Sequence, residues 1–389
     1  MPHDNRLSKK LISLCCLLYF TSYITRLNYA AAISEIIISM DITKSMASLA
    51  VTGSFITYGL GQLVSGPLGD KKAPEKLIFT GILATAIDNL LIATAGNIQT
   101  MTILWYFNGF FQAMIWPPLL RIMAENLSPE AYRSACVKVN TAASLGTIGV
   151  YILVPICIRL GGWRLAFLFP SIFAMGVALI WRHIAKKILV HKNTPAAGHV
   201  SRGIRMNMPK TTETSEDVSQ PSPNVGRLIL LSGAISVFFA VIFQGTLRDG
   251  LTTWMPSYID DIYHLGTSGA ILTTAILPLF SIISIAMASL LNEHMKSELF
   301  TSSLLFGISL VSAVTLRLFF NANAILSVAL MALITGCMHG TNMLLISRLP
   351  AYFEPFGCVS TMSGIFNTFP YVGSALSTFG IAALSEHFG

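Results

Sequence analysis

The chain has 389 residues, 53% of them hydrophobic and only 11% charged, with a formal net charge of +7, whereas an average soluble domain carries roughly 25% charged residues. That balance excludes one large soluble core, because apolar runs of about 20 residues, enough to cross roughly 30 Å of hydrocarbon, recur with short polar breaks. The positive charge reports on topology rather than on a nucleic-acid partner.

In chain order the runs predict eleven membrane-spanning helices, near 9–33, 47–68, 77–96, 101–124, 135–159, 163–184, 227–251, 268–291, 299–320, 324–347 and 358–386. The first is too long for a signal-peptide core and lacks a small-residue cleavage site, so it reads as a retained helix. It holds "TSYITRLNYAAA", residues 21 to 32, with Arg26 in its middle. A guanidinium at bilayer depth costs at least about 2.5 to 3.5 kcal/mol, so its default setting is a water-filled pathway with a partner charge. The third helix carries Asp88 in "AIDNLL", either a proton-coupling acid or an acid reaching a polar neighbour. In the fourth, Trp116-Pro117-Pro118 removes two backbone donors and predicts a kink, open between a packing bend and a hinge.

The stretch from Lys186 to Gly226 is rich in Ser, Thr, Pro and Asn and lacks the apolar surface to fold alone. It divides the chain into a six-helix half at 1–185, a central loop at 186–226 and a second half at 227–389. The seventh helix again carries an arginine, Arg248 in "FQGTLRDGLTTWMPSY", beside Asp249. Two halves that each begin with an arginine-bearing helix fit tandem parallel repeats, with substrate near mid-membrane between them. Farther on come His339 in "GCMHGTN" and Tyr371 in "SGIFNTFPYVGSALS".

A cytoplasmic N-terminus places Arg6, Lys9, Lys10, Lys71, Lys72, Lys76, Arg121, Arg133, Lys138, Lys296 and Arg348 in short inner segments and leaves Lys44, Arg159, Arg164 and Arg317 in the outer loops, the basic residues from Arg182 to Arg227 in and beside the central loop aside. This satisfies the positive-inside rule. The six cysteines fall in or at the ends of spans without metal-ligand spacing; no metal, cofactor or disulfide framework is indicated. No nucleophile paired with a base and no phosphate-cradling glycine loop argues for an enzyme.

Counted from the start of their helices, Arg26 and Arg248 lie at similar depth. Arginine offers a rigid fork of donors suited to carboxylate or phosphate. Two such charges about 10 Å apart, at an effective dielectric near 20, repel by about 1.5 kcal/mol, and a dianion bridging the halves removes that penalty. A dianionic phosphate fits better than a monocarboxylate.

The segment "NGFFQAMIWPPLLR", Asn108 to Arg121, matches the pattern N-G-x-F-Q-x-M-x-W-P-P-x-x-R, and with it the chain resembles the major facilitator superfamily, in particular its organophosphate:phosphate antiporters. "RLN" at Arg26 to Asn28, "GPLGDKK" at Gly66 to Lys72 and "LRDGLTTWMPSY" at Leu247 to Tyr258 carry the same resemblance. It implies an all-α polytopic membrane protein in which Arg26 and Arg248 bind the phosphate group of glycerol-3-phosphate or a sugar phosphate, exchanged for inorganic phosphate as the halves rock about the site. Substrate contact is expected at Tyr23, Asn28, Gln112, Trp116, His339 and Tyr371, gating at Gly66, Asp70, Lys71 and Arg121, and possible coupling at Asp88 and Asp249. The expected partners are a small anion and the bilayer of a plasma or inner membrane, with no cofactor, no nucleic acid and a monomeric state. The chain stops at "SEHFG", where the family's usual twelfth helix would begin, so that helix is expected to be absent from this chain.

Two departures qualify the resemblance. A family histidine aligns with Ala143 and a family lysine with Gln62, which removes two basic groups and puts phosphate as counter-substrate in question. A proton-coupled symporter of an organic anion such as a sugar acid is the alternative, although the anion:cation symporters typically place an acid where this chain has Thr25. A membrane sensor of hexose phosphate is the other.

Overall fold

The computed structural model describes residues 2–190, 233–264, 276–319 and 322–388, and every regular element in them is helical. In the first half these are α1 (Pro2–Met40), α2 (Lys44–Lys71), α3 (Pro74–Thr94), α4 (Ile98–Gln112), α5 (Trp116–Asn126), α6 (Pro129–Gly161) and α7 (Leu165–Val190). In the second they are α8 (Ala234–Tyr263), α9 (Leu277–Met295), α10 (Glu298–Leu318), α11 (Ala324–Asn342) and α12 (Val359–Phe388). Local chemistry sets several helix starts: side chains of Thr43, Asn97, Ser128, Ser297 and Asn323 accept hydrogen bonds from backbone amides two or three residues on, the usual satisfaction of otherwise orphaned first-turn donors.

Nine helices among the described residues are long and apolar enough to cross a membrane. With the jointed pair α4–α5 and with α12, they correspond in order to the eleven predicted spans. Two spans differ in form. The fourth is broken at Ala113–Ile115, with Pro117 and Pro118 in the first turn of the new helix, where a missing N–H costs least. The tenth stops being α-helical at Asn342, passing into a π-helix over Met343–Arg348 and a 3-10 helix over Leu349–Phe356. Most of the central loop and the start of the eighth span lie outside the described residues.

Large apolar side chains remain exposed along the outside of the bundle, among them Leu49, Ile56, Leu60 and Leu63 on α2 and Leu310, Val311, Val314 and Leu318 on α10. Apolar exposure on this scale is foreign to a water-soluble monomer and natural for a surface bathed in lipid.

The buried apolar side chains form a forked core. On the side where α1 begins, one cluster runs from Leu11, Leu18 and Trp116 across α6 into Val241, Met338, Leu345 and Phe366, so it belongs to both halves. On the opposite side two clusters are separate: one in α1–α7 around Tyr29, Trp105, Val154 and Phe167, the other in α8–α11 around Met255, Ile259 and Met331. Hydrogen bonds that join the halves follow the stem of the fork. Tyr132 Oη donates to the Ser347 carbonyl at 2.5 Å, Asn140 Nδ2 to Ser347 Oγ at 2.9 Å, and the hydroxyls of Ser144 and Ser281 are 2.8 Å apart. Along α2 and α12, Thr368 Oγ1 donates to the Gly59 carbonyl at 3.1 Å and Asn367 Nδ2 to Tyr58 Oη at 3.4 Å. The halves are thus joined from mid-depth to the side bearing the N-terminus.

Candidate functional site

Arg26 sits at the top of this stem. Its Nη2 donates to Tyr371 Oη at 2.6 Å, and its Cζ lies 3.8 Å from the centre of the Tyr58 ring and 5.4 Å from that of Tyr371. The two tyrosine rings meet edge-on at 5.0 Å. One aromatic face comes from α2 in the first half and the other from α12 in the second, and a cation over such faces is attracted by the ring quadrupoles. Among the described residues no carboxylate is within ion-pair distance of Arg26.

Arg248 is differently placed. Its Nε and Nη2 donate to the two oxygens of Asp249 at 2.6 and 2.8 Å, and Nη1 donates to Asn342 Oδ1 at 3.0 Å. Ser374 Oγ also bonds to Asp249 Oδ2. Glycines allow α8 and α12 to approach this closely: a Cβ at Gly245 would collide with the Pro370 carbonyl, and one at Gly373 with the Ile242 carbonyl. Ser374 follows Tyr371 by three residues, so the two partners lie on one face of α12, about 4.5 Å apart along its axis. One helix face therefore receives an arginine from each half.

The expected neighbours divide. Tyr23 and Tyr371 lie within coulombic reach of both guanidinium groups, and His339 within reach of Arg248 and Asp249. Trp116 is buried with its ring 4.6 Å from Tyr19, which in turn meets Tyr23 edge-on at 5.2 Å; Trp116 thus stands behind two tyrosines rather than beside an arginine. Gln112 and Asn28, also expected at the substrate, bond within the first half of the chain. Gln112 is buried, accepts from Ser22 Oγ at 2.6 Å and donates to the Ser22 carbonyl at 3.2 Å and to Thr25 Oγ1 at 2.9 Å, so its amide is spent on holding α1. Asn28 donates to Asn89 Oδ1 at 2.8 Å and to the Ala166 carbonyl at 3.0 Å, facing α3 and α7. The cause is helical geometry: at 100° per residue, Asn28 points about 160° away from Arg26. Asp88, also buried on α3, has no interaction with either arginine among the described residues.

Tyr58, Asn342 and Ser374 escape the sequence reading. A signal exists for two of them: Asn342 is three residues beyond His339 and Ser374 three beyond Tyr371, the spacing of neighbours on one helix face. Tyr58 has no such pointer.

The expected gating residues meet at the stem's outer end. Both oxygens of Asp70, at the end of α2, accept from the backbone amides of Ser360 and Thr361 at 2.9 and 2.7 Å, capping the first turn of α12 in the other half. Arg121 donates to the carbonyls of Gly69 and Asp70 at 2.6 and 3.0 Å and pairs with Glu125 at 2.6 Å. Carbonyl-bound cation at a helix end and amide-bound carboxylate at a helix start are the favourable senses of the helix dipole. Gly66 passes 3.0 Å from the Ser360 carbonyl when a Cβ is built on it, and Lys71 is exposed beside the cluster. Asp70→Ala removes a cap worth about 0.5 to 2 kcal/mol. It should raise the rate of labelling of a cysteine placed at Ser360 by a membrane-impermeant maleimide by about 2- to 30-fold; an unchanged rate means the contact does not hold the halves together.

Comparison with known proteins agrees with this architecture. The chain is 22% identical, in an alignment that covers 95% of its length and 83% of the relative's, to a probable hexose phosphate transport protein of Chlamydia muridarum (strain MoPn / Nigg). It is 24% identical to a glycerol-3-phosphate transporter of Bacillus subtilis (strain 168) over 62% of this chain and 55% of that one. A solved structure of a proton:xylose symporter bound to 6-bromo-6-deoxy-D-glucose superposes with a TM-score of 0.75 at 13% identity, covering 99% of this chain and 91% of that one. The family model described as Major Facilitator Superfamily matches residues 15–378. With a two-armed helical bundle around a half-buried pair of arginines and that match over nearly its whole length, the chain belongs to the Major Facilitator Superfamily.

Proposed function

We propose that this protein moves an organophosphate, glycerol-3-phosphate or a sugar phosphate, across the membrane in exchange for inorganic phosphate, with the two halves rocking about Arg26 and Arg248. The observation that carries the reading is the convergence of one arginine from each half on a single face of α12, at Tyr371 and Ser374 through Asp249. Arg26 in particular holds a half-buried charge without an acid among the described residues, and a partly desolvated charge is stabilised when an anionic ligand or water meets it. A phosphate group accepts the planar fork of donors that each arginine presents. The relatives named for hexose phosphate and glycerol-3-phosphate transport support the same substrate class.

On this reading the N-terminal side faces the cytoplasm. The forked core, joined on that side and parted on the other, is then an outward-facing arrangement. Opening the stem at Asp70 and closing the arms delivers the site to the other compartment, the alternating access that tandem-repeat carriers use.

Vesicles containing the reconstituted protein and loaded with inorganic phosphate should accumulate labelled glycerol-3-phosphate or glucose-6-phosphate, and empty vesicles should not. Accumulation of neither ester overturns the reading. Accumulation driven by an inward proton gradient without internal phosphate replaces exchange with symport while keeping the substrate class.

A further inference from the structure

The two arginines, alike in sequence position, differ in what occupies them. The guanidinium of Arg26 faces two tyrosines, whereas Arg248 has both oxygens of Asp249 seated on Nε and Nη2 and Asn342 on Nη1. Nε and Nη2 are the pair of parallel donors by which an arginine grips a carboxylate or a phosphate in two-point fashion. The half-site on α8 is therefore filled by the chain's own carboxylate. Ser374, from α12, holds that carboxylate from its other side through Oδ2.

We propose that Asp249 is an internal stand-in for the substrate anion, and that it leaves the Arg248 fork by taking up a proton when the anion binds. The inference rests on the proposed function and refines it by assigning the group that links anion binding to protons. With Asp249 ionised, Arg248 and Asp249 cancel and the site offers the single positive charge of Arg26. Protonation of Asp249 restores a second positive charge and releases the two parallel donors. The chamber then matches a dianion bridging both halves.

The charge balance is simple. One proton is bound at Asp249 for each anion seated on Arg248, and it is released when the anion leaves and the carboxylate returns to the fork. In exchange, each anion travels with its proton in its own direction.

The charged and titratable groups facing Asp249 are Arg248 on its own helix, His339 on α11, and Tyr23 and Tyr371, which lie near Arg248 from α1 and α12. Asn342 on α11 and Ser374 on α12 are the uncharged polar neighbours of the pair. His339 is the one other group among these that commonly changes charge near neutral pH, so it is the necessary control.

The test compares the full-length protein with Asp249→Asn. Affinity for glycerol-3-phosphate is measured between pH 5.5 and 8, together with the protons taken up on binding in weakly buffered detergent solution. The ester's own second ionisation, near pH 6, is common to both proteins and cancels in the difference. The wild type should weaken with rising pH more steeply than the variant, by up to about tenfold per pH unit, the slope of one linked proton. It should also take up about one more proton per anion bound than Asp249→Asn does.

Asp249→Glu should restore the steep profile. Ser374→Ala, which leaves both charged groups in place, should move its midpoint. His339→Gln should leave the steep slope intact. The inference is overturned if Asp249→Asn keeps the wild-type slope and proton count, if the slope disappears in His339→Gln instead, or if Ser374→Ala leaves the midpoint unmoved. Failure of the underlying reading looks different: the wild type then binds no organophosphate at any pH.

Discussion

Replacing Arg26 with lysine lowers affinity for the transported anion by about 30- to 150-fold, because a charge-assisted hydrogen bond contributes about 2 to 3 kcal/mol and an ammonium cannot supply the second, parallel one. The positive charge survives the change, so the loss isolates the geometry of the fork from the charge itself. Arg26 is held for this role: one Nη2 hydrogen is anchored to Tyr371 and its face to Tyr58, which leaves the second Nη2 hydrogen to pair in parallel with Nε or Nη1 on a ligand. Equilibrium binding of glycerol-3-phosphate to purified protein measures the effect. A lysine variant within threefold of the wild type would remove Arg26 from the substrate site. The same substitution at Arg248 should cost less above neutral pH, where Asp249 already occupies the fork, and as much as at Arg26 in acid.

The second large effect is conformational. A Cβ at Gly364 would collide with the Gln62 carbonyl of α2 and sit 3.1 Å from the Gly66 Cα, so the two halves touch there backbone to backbone. Gly364→Val forces extra atoms into that contact, at a cost of about 1 to 3 kcal/mol. The strain is borne only while the N-terminal side is closed, so the population should move by about 5- to 150-fold toward the state in which that side is open. Spin labels at Lys72, just after α2, and at Phe356, just before α12, should report a longer distance in the variant. A distance distribution identical to the wild type would show that α2 and α12 do not part there during transport. Overall stability is a poor readout, since the strain is relieved by the very opening that the labels detect.

How far the sequence foretells the molecule depends on the scale. Passages through the bilayer are legible because length and apolarity are both forced by the solvent, and the break in the fourth is legible because Pro117 and Pro118 cannot donate. The π and 3-10 turns over Met343–Phe356 are not: a π-turn has no propensity signal of its own and is fixed by what the helix must reach. The arginines stand out because charge is rare at that depth, but their surroundings do not follow from proximity in sequence. Asn28 and Gln112 lie close to the conspicuous motifs yet serve the packing of α1. Tyr58 comes from an otherwise ordinary apolar helix and supplies the closest ring to Arg26. A motif names positions; only the rotation of each helix decides which of them look inward. Gln62 shows the limit in another way: fully buried, its amide has no hydrogen-bond partner among the described residues, and nothing in its immediate sequence forecasts that.

The widened turns after Asn342 carry a mechanical implication. Above them, Asn342 holds Arg248 at the chamber; within them, Ser347 accepts from Tyr132 and Asn140 of the opposite half. A π-turn stores one surplus residue relative to the α-helix around it and can yield that residue to either neighbouring turn. Migration of the surplus by a single position would swing Asn342 by about 100° while Ser347 stayed moored. On the proposed function, this segment can thus act as a clutch, engaging or slipping between Arg248 and the lock between the halves.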